Sequence, residues 1–422
     1  MIWKREIIAV VVGVSFLASW TAYAEPKGTQ REVIGRGVVR LTSPGAVPGE
    51  NAGVIQLAID DCAANGGGKV EIGAGLWVCG TIRMRSGVEL YLMKDSVLQA
   101  SPELSDYNGK DEYPENFGSV HEGWSARHFI IGNRVTKSSI KGEGVIDGNA
   151  NAFFEGQPYF TSGTKIVWAN GVRCRKNMES PELHRPGPLI VFVKSQDIAI
   201  DGITVRQSPC WSLLFHGCDN VSVRDYKVRN GSSDLNTDGI DIDCCSNVIV
   251  ERADIRTGDD AIAIRGSPTR LGVDKACEDI RVHDCDLSAY AMGIRIGVGN
   301  GLIRNVDIKN VRVHHAAWGV SFDCWYGGKD NAGVDVENIY IRDCRFDGCY
   351  EGWRFRLGGD RQKFGVRKIR FENCTFTSPR LGTAAYCGNK SLSEVCFDKC
   401  VWSPDSNNPF NYLVQGKDAE VQ

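Results

Sequence analysis

Residues 197–205 read Asp-Ile-Ala-Ile-Asp-Gly-Ile-Thr-Val (DIAIDGITV), and this nine-residue pattern decides the fold. Its second, fourth, seventh and ninth residues are apolar, and its fifth and sixth form a polar break. Two short alternating runs separated by a turn predict two strands that meet at a corner. Asn or Asp at the first position suits that corner, because these residues tolerate the left-handed backbone conformation.

The same pattern recurs seven more times toward the C terminus, with starting points 23 to 33 residues apart. The copies are NVSVRDYKV from Asn220, NVIVERADI from Asn247, DIRVHDCDL from Asp279, NVDIKNVRV from Asn305, NIYIRDCRF from Asn338, KIRFENCTF from Lys368 and EVCFDKCVW from Glu394. A period of this length, with no helical pattern between copies, predicts stacked coils. The expected fold is therefore all-β, a single-stranded parallel β-helix (a solenoid). A β-sandwich is the competing fold, but it would show hairpin turns and no fixed register.

The segment before these copies predicts a cap on the solenoid. Residues 54–64, VIQLAIDDCAA, have helical apolar spacing, and NGGGKVEIGAG then turns into a strand. Because the end of a solenoid exposes unpaired strand edges, a helix across the first coil would protect them. Cysteines at repeat position seven are expected in the core, whereas others are freer to form disulfides. The first group is Cys285, Cys344, Cys374 and Cys400, and the second is Cys244, Cys245, Cys349, Cys387 and Cys396.

Residues 1–24 have the pattern of a secretory signal peptide. Lys4 and Arg5 precede an apolar stretch, and Ala22-Tyr23-Ala24 supplies a small-x-small cleavage pattern. Cleavage after Ala24 would leave residues 25–422 as one β-helix catalytic domain, secreted or periplasmic. No later segment approaches the ~20 apolar residues of a membrane span, so no membrane contact is expected after cleavage. The formal net charge is −3 with well-mixed signs, which argues against a nucleic-acid partner. The oligomeric state stays open.

Each coil also carries a second strand ahead of its nine-residue pattern. Aligned by their apolar residues, these read WSLLF from Trp211, DGIDI from Asp238, DAIAI from Asp260, MGIRI from Met292, WGVSF from Trp318 and EGWRF from Glu351. Neighbouring strands lie ~4.8 Å apart. Asp238 and Asp260 therefore share a column on adjacent coils, with Asp259 one residue earlier.

Three carboxylates so close cannot all ionise comfortably, so at least one pKa should be raised. A raised acid beside ionised carboxylates suits general acid–base catalysis, and inverting glycosidases hold two carboxyl groups ~6.5–9.5 Å apart around a water. The alternatives are a solvated acidic patch and a calcium site, to which Asp234, Asp241 and Asp243 could contribute oxygens.

NTDGIDI (residues 236–242), followed by GDDAIAI (residues 258–264), resembles the two main motifs of the polygalacturonases, glycoside hydrolase family 28. The resemblance extends over most of the chain after the signal peptide. It implies a right-handed β-helix in which Asp259 is the general acid and Asp238 and Asp260 activate water for single displacement with inversion. We assign Asn236 and Asp241, from the first motif, to substrate binding. The expected partner is a polysaccharide or oligosaccharide, and no metal or other cofactor is expected.

Two further motifs of that family are missing. Met292 in AMGIRIG (residues 291–297) stands where the family has His, and Ser321-Phe322-Asp323 stands where it has Arg-Ile-Lys. In the family those last two cations bind the substrate carboxylate beside the cleaved bond. We therefore predict cleavage of α-linked galacturonosyl or galactosyl-type bonds in a pectin-like or other polysaccharide, through a rebuilt subsite that does not favour plain polygalacturonate.

Replacement contacts are predicted on the same and later coils. Counting three residues on from the aspartate column reaches Arg295 and Arg354, which could bind an anionic group or hydroxyls of a sugar; the alternative for Arg295 is an ion pair with Asp241 or another neighbour. Aromatic rings stack well on sugars, and one or two of Trp318, Trp325, Tyr326 and Trp353 are expected to line the cleft. We assign Trp318 and Trp325 to it.

Two other functions compete with hydrolysis. Parallel β-helices also host polysaccharide lyases, but a lyase needs a base such as Lys, Arg or His, and the aspartate column offers no Lys. A carbohydrate-binding β-helix without activity would fit the missing basic motifs. Three aspartates at the family spacing argue against that loss.

Overall fold

The computed structural model describes residues 30–35, 37–42, 50–109, 112–116, 125–155, 173–174, 185–231, 236–325, 333–358, 362–386 and 391–404. The fold is a right-handed parallel β-helix, as predicted, in which a full coil gives one strand to each of three long sheets. The predicted signal peptide, Tyr326, Asp234 and Cys387 lie outside the described residues.

Sheet A contains the first strand of every nine-residue pattern. Its 13 strands are, in spatial order, Gln30–Gly35, Val38–Thr42, Gly68–Ile72, Val88–Leu92, Thr136–Gly142, Gln196–Asp201, Asp219–Arg224, Ser246–Glu251, Cys277–His283, Leu302–Lys309, Asp335–Arg342, Val366–Glu372 and Leu392–Asp398. The first two pair antiparallel, and the later pairs are parallel.

Sheet B contains the second strand of the pattern, in 11 strands: Gly75–Cys79, Ser96–Ala100, Val145–Asp147, Thr204–Arg206, Lys227–Arg229, Asp254–Thr257, Asp286–Ala289, Arg312–His314, Arg345–Asp347, Thr375–Thr377 and Val401–Ser403. Sheet C contains the strands that follow the aspartates, in 10 strands: Ile82–Arg83, Ile130–Asn133, Ile190–Val193, Leu213–His216, Ile240–Asp243, Ile262–Gly266, Met292–Gly299, Trp318–Asp323, Glu351–Leu357 and Arg380–Tyr386. A separate antiparallel pair joins Phe154–Glu155 to Arg173–Cys174.

The corners of the coil confirm the interpretation of the repeat. All eight residues at position one have a left-handed backbone, from φ 54° at Asn220 to φ 60° at Asn338, and position six does so as well, for example at Asp225 and Asn373. The position-one side chains also form a ladder between coils, in which the Asn247 amide donates to Asn220 Oδ1 at 2.8 Å. Asn and Asp therefore stabilise the corner twice, through their backbone and through their side chains.

The apolar residues of the pattern form one core that runs along the solenoid. Cys285, Cys344 and Cys374 are buried in it, as predicted, and Cys400 is half-buried on the last coil. Cys244, Cys245 and Cys349 are buried and Cys396 is exposed, and none of them forms a disulfide within the described residues.

The predicted cap is the helix Glu50–Ala64, which begins four residues earlier than the apolar spacing indicated. It buries one face, which includes Ile55 and Ile59, against the first coil, while Leu57 faces outward with 40% exposure. Short helical turns lie at Leu104–Asp106, Ala150–Ala152 and Pro268–Leu271. No helix in the described ranges has the length and hydropathy of a membrane span.

Candidate active site

Strand pairing in sheet C places the predicted aspartates on adjacent coils. Ile240 pairs with Ile262, so Asp238 and Asp260, each two residues earlier, stand side by side. The next column pairs Asp241 with Ala263, Ala263 with Arg295, Arg295 with Ser321 and Ser321 with Arg354. The alignment made from the sequence is therefore confirmed through four successive pairs of strands.

Small residues and threonines fix the spacing of the two motifs. A Cβ on Gly239 would lie 2.5 Å from the carbonyl oxygen of Ala261, so only glycine allows the two coils to approach here. The buried Thr237 hydroxyl accepts a hydrogen bond from the Gly258 N–H at 3.0 Å, and the Thr257 hydroxyl donates to the Thr237 carbonyl. These contacts join the first motif to the second and so fix the position of Asp238 relative to Asp259.

The three carboxyl groups form one cluster. One oxygen from each of Asp238, Asp259 and Asp260 lies within 4.8 Å of the others. Asp238 and Asp260 are buried, whereas Asp259 keeps part of its surface exposed. A water bound among these oxygens could contact all three carboxyl groups.

Asp260 is held by donors at both oxygens. The Met292 N–H donates to Oδ1 at 3.1 Å, and Arg295 Nη1 donates to Oδ2 at 2.9 Å. Arg295 Nη2 donates to Asp323 at 2.8 Å, so one guanidinium joins two buried carboxylates. Of the alternatives for Arg295, the structure has an ion pair, but with Asp260 and Asp323 in place of Asp241.

Asp259 is positioned from the first motif. Asn236, in a left-handed conformation with φ 53°, donates its backbone N–H to Asp259 Oδ2 at 3.1 Å, and its side-chain amide lies 3.5 Å from the same oxygen. The buried Arg185 donates to Asn236 Oδ1 at 3.1 Å and to the Pro209 carbonyl at 2.8 Å. Assigned to substrate binding from the sequence, Asn236 therefore also orients the predicted acid.

The pKa of Asp238 is raised, the direction predicted for a carboxyl group beside like charges. Burial, reinforced by the charges of Asp259, Asp241 and Asp260, raises its pKa well above the usual aspartate range, and Arg265 only partly opposes this. Its Oδ1 atom is buried and accepts no hydrogen bond from the described residues. That oxygen is available to hold a proton or a water.

A buried ion pair lies behind Asp238. Arg265 donates to Asp241 at 3.1 Å with both side chains almost fully buried, and its guanidinium lies 4.3 Å from the centre of the Trp211 ring. Asp241 thus supports the floor of the site, and its assignment to substrate binding stays a prediction. Asp241 and Asp243 accept hydrogen bonds from Arg265 and the Ser267 N–H, whereas oxygens of Asp238, Asp259 and Asp260 lie close enough together to bind a metal ion, so the calcium alternative stays a prediction.

Arginines and tryptophans gather two and three coils beyond Asp260. Arg354 donates to Ser321 Oγ at 3.1 Å and to Asp323 at 3.2 Å, and it stacks on Trp318 at 3.7 Å. Arg356 reaches Asp323 at 3.5 Å and lies 5.3 Å from the Trp325 ring centre. Burial acts to raise the pKa of Asp323, but these arginines and Arg295 outweigh it and keep that pKa below its usual range.

The predicted aromatic residues separate into two groups. Trp318 and Trp325 lie with the arginines, and Trp318 Nε1 donates to Glu351 at 3.2 Å. Trp353 instead pairs with Val320, an inward position, and packs on Phe355 and Phe397, so it belongs to the core. The glycine-rich run Gly297-Val298-Gly299-Asn300-Gly301 begins in the buried end of the strand Met292–Gly299 and continues into a half-buried bend.

Several site residues were missed in the sequence. Arg265 and Arg356 share a column with Asp323, which the sequence had placed at the rebuilt subsite; this column lies two residues beyond that of Arg295, and the same counting carried two residues further would have found both arginines. Arg185 carries no such signal, because it precedes its strand and reaches the site through Asn236.

A solenoid with a cluster of three carboxyl groups on one sheet defines a class of protein that cleaves or binds polysaccharides, and comparison with known proteins specifies the family. Residues 114–352 match the model of "Glycosyl hydrolases family 28". The chain belongs to this family and is a polygalacturonase-like glycoside hydrolase.

Three relatives illustrate the relationship. A Vitis vinifera protein named "Probable polygalacturonase" is 26% identical over 66% of this chain, a match that spans only 53% of the grape protein. The "Endo-polygalacturonase" of Pectobacterium carotovorum subsp. carotovorum is 23% identical over 80% of this chain and 88% of its own. The structure of a Thermotoga maritima exopolygalacturonase superposes with a TM-score of 0.67 and 19% identity, covering 84% of this chain and 83% of the other; it supports the fold.

Proposed function

We propose that this protein hydrolyses α-linked galacturonosyl or galactosyl-type bonds in a pectin-like polysaccharide, with inversion at the anomeric carbon. The observation that carries the proposal is the cluster of Asp238, Asp259 and Asp260 within 4.8 Å, with one partly exposed carboxyl group and one buried, unpartnered oxygen. Polygalacturonases among the relatives support this class of substrate.

In the proposed reaction Asp259 protonates the glycosidic oxygen, since it is the most exposed carboxyl group of the three. Asp238 and Asp260 orient and deprotonate a water that attacks the anomeric carbon in a single displacement. A tight carboxylate pair is also typical of retaining glycosidases, and the third carboxylate and the family membership favour inversion. Proton NMR of the first product anomer distinguishes the two: the configuration opposite to the substrate is expected, and a retained one would refute inversion.

The raised pKa of Asp238 favours a second assignment, in which Asp238 is the acid and Asp259 acts on the water. Both assignments use the same three residues. They differ in what they predict for a substrate whose leaving group needs no protonation. With such a substrate, only the residue that acts as the acid can be replaced without loss of hydrolysis.

We expect Asp259→Asn to abolish hydrolysis of the polysaccharide, by about 10³-fold or more, with the fold unchanged. Because an activated aryl leaving group needs little help from an acid, the same variant should keep much of its activity on a nitrophenyl α-glycoside, whereas Asp238→Asn should not. Reducing-end and nitrophenol assays measure the two rates.

Asp279→Asn is the matched control, because Asp279 is exposed at a corner of sheet A and Asn fits the left-handed position. It should leave both rates unchanged. Full polysaccharide hydrolysis by Asp259→Asn would refute the assignment of the acid, and aryl-glycoside activity kept only by Asp238→Asn would establish the second assignment.

We also propose that the subsite beyond Asp260 is rebuilt. In place of the family's Arg-Ile-Lys, the chain has Ser321-Phe322-Asp323, and the cations come from Arg354 and Arg356 on the next coil. Of the three arginines that pair with Asp323, Arg356 is the most accessible: its side chain is 37% exposed, against 9% for Arg295 and 15% for Arg354. This supports binding of an acidic sugar against Trp318. Its carboxylate would lie at a different position from the one at which the family's Arg-Ile-Lys motif binds the carboxylate of polygalacturonate.

A screen of polygalacturonate, rhamnogalacturonan and neutral α-galactosides with reducing-end detection tests this specificity. Preference for an acidic substrate other than polygalacturonate is expected, and equal or better cleavage of polygalacturonate would contradict the rebuilt subsite. Products that absorb near 235 nm would indicate a lyase.

We further propose that residues 1–24 direct export and are removed after Ala24, as supported by Lys4, Arg5 and the apolar stretch that follows them. N-terminal sequencing of the protein recovered from outside the cytoplasm should begin at Glu25. A protein retained inside the cell with residues 1–24 intact would contradict this.

A further inference from the structure

We propose that Arg295 is a positioning residue, which fixes the orientation of Asp260 and is itself held by Asp323 and Arg354, and that it is not a ligand of the sugar. The inference rests on the proposed hydrolysis. A cation beside a uronate subsite is expected to bind the carboxylate of the substrate, whereas here Arg295 is assigned to orient Asp260.

The first argument is the use of the donors of Arg295. Nη1 donates to Asp260 Oδ2 at 2.9 Å and Nη2 to Asp323 Oδ2 at 2.8 Å, and the whole side chain is only 9% exposed. A planar guanidinium with its two terminal nitrogens on different carboxylates has little freedom to turn toward a ligand. A substrate anion could use only the remaining N–H groups of a side chain that is 9% exposed and whose direction is fixed by two buried, charged hydrogen bonds.

The second argument is that the far end of this bridge is anchored. Asp323 is 1% exposed and receives Arg354 as well as Arg295. Arg354 is fixed in turn by the Ser321 hydroxyl and by the face of Trp318. The chain of contacts Asp260–Arg295–Asp323–Arg354 therefore spans four adjacent strands of sheet C, each in register with the next.

The third argument concerns what the bridge does for the three aspartates. Arg295 acts directly on Asp260, since its Nη1 donates to Asp260 Oδ2 at 2.9 Å. With the Met292 N–H on Oδ1, both oxygens of Asp260 are fixed in direction. A carboxylate whose rotation is blocked presents the same lone pair to a water in every turnover, which is the preorganisation that catalysis requires.

The experiment compares Arg295→Met, Arg295→Lys and Asp323→Asn with the unchanged protein. Loss of orientation should lower kcat by about 100-fold in Arg295→Met with KM within about threefold, because displacement of a catalytic group by ~1 Å can cost that much. Lysine supplies the charge but not the fork, so Arg295→Lys should recover only part of kcat. Arg304→Met removes an exposed arginine paired with Glu278 on sheet A and should leave both constants unchanged.

Saccharide affinity separates positioning from substrate binding. In an Asp259→Asn background, calorimetric titration with the oligosaccharide that the unchanged protein cleaves should give the same Kd, within about twofold, with and without Arg295→Met. A Kd raised tenfold or more, with kcat preserved, would make Arg295 a substrate ligand and overturn the proposal.

A second readout does not depend on activity. If Arg295 acts on Asp260, the loss of Tm in Arg295→Met should shrink when Asp260→Asn is added, because the uncompensated buried charge is then removed. Additive changes in Tm would overturn the proposal even if hydrolysis were confirmed. Coupled changes in Tm, with no glycoside cleaved by the unchanged protein, would instead refute the proposed function alone.

Discussion

At the scale of single residues, the site places two buried carboxyl groups side by side in different environments. Asp260 is buried but receives a cation and a backbone donor, whereas Asp238 is buried without a partner at Oδ1. Folding therefore penalises the charge of Asp238, whose pKa is raised by burial and by the neighbouring carboxylates. This penalty is costly to stability and useful to chemistry, because it favours a carboxyl group that can hold a proton beside the other aspartates.

Replacement of Asp238 should therefore stabilise the protein. Because its folded pKa is raised, the native state binds the proton more tightly than the unfolded state, and stability falls as pH rises from about 3.9 toward the folded pKa. Asn carries no charge, so Asp238→Asn should raise Tm at pH 7 and change it little at pH 3.5. Differential scanning calorimetry at the two pH values measures this, and a lower Tm at pH 7 would contradict the penalty.

At the scale of elements, the corner between sheets A and C is the repeated unit that sets the register. Position one is left-handed in every copy, including Lys368 and Glu394, whose side chains are not selected for that conformation. The stack of coils imposes the corner, and Asn or Asp only makes it less costly. Ladder hydrogen bonds such as Asn247 to Asn220 then tie each corner to the previous one.

A β-branched residue at a corner should measure that cost. Asn247→Val places a branched side chain at φ 54° and removes the 2.8 Å ladder bond, so we expect a loss of about 1–2 kcal/mol in the free energy of unfolding. Asn247→Gly loses the ladder bond but accepts the conformation freely, and should be destabilised less. Urea denaturation gives both values, and equal losses would mean that the backbone conformation carries no cost.

The comparison of sequence and structure is clearest at this scale. The apolar periodicity predicted the coils, and the strand columns placed Arg295 and Arg354 correctly, because parallel pairing converts sequence spacing directly into position. Contacts between side chains could not be predicted in the same way. Nothing in the spacing tells that Arg295 turns to Asp260 and Asp323 or that Trp353 faces inward, since both depend on how neighbouring side chains fill the sheet surface.

At the scale of the molecule, the two ends of the solenoid differ. The helix Glu50–Ala64 closes the N-terminal end with buried Ile55 and Ile59. On the last described coil, Val401 and Trp402 remain 55% and 45% exposed. Since each coil contacts only its neighbours, the helix covers the core at this end, and in sheet A the strand Val38–Thr42 also pairs with Gly68–Ile72.

A charged residue beneath the helix Glu50–Ala64 should detach this helix from the N-terminal end of the solenoid. Ile59→Asp places a carboxylate at a position with 0% exposure, so we expect a loss of at least about 3 kcal/mol and self-association through the uncovered strands. Leu57→Asp on the outer face of the same helix, at 40% exposure, is the matched control and should change neither. Thermal unfolding and size-exclusion chromatography provide the measurements, and a monomeric Ile59→Asp of unchanged Tm would contradict a capping role.

The column of sheet C that runs from Asp241 through Arg295 and Ser321 to Arg354 has a consequence for how specificity can change. Its positions recur at intervals of ~4.8 Å, which is the spacing between neighbouring strands. Exchanging residues between two neighbouring strands moves a charge by one fixed step, and only an exchange at Arg295 also removes the support of Asp260. Recognition along this column can therefore be retuned in discrete increments of length, one strand at a time, on the coils beyond Arg295.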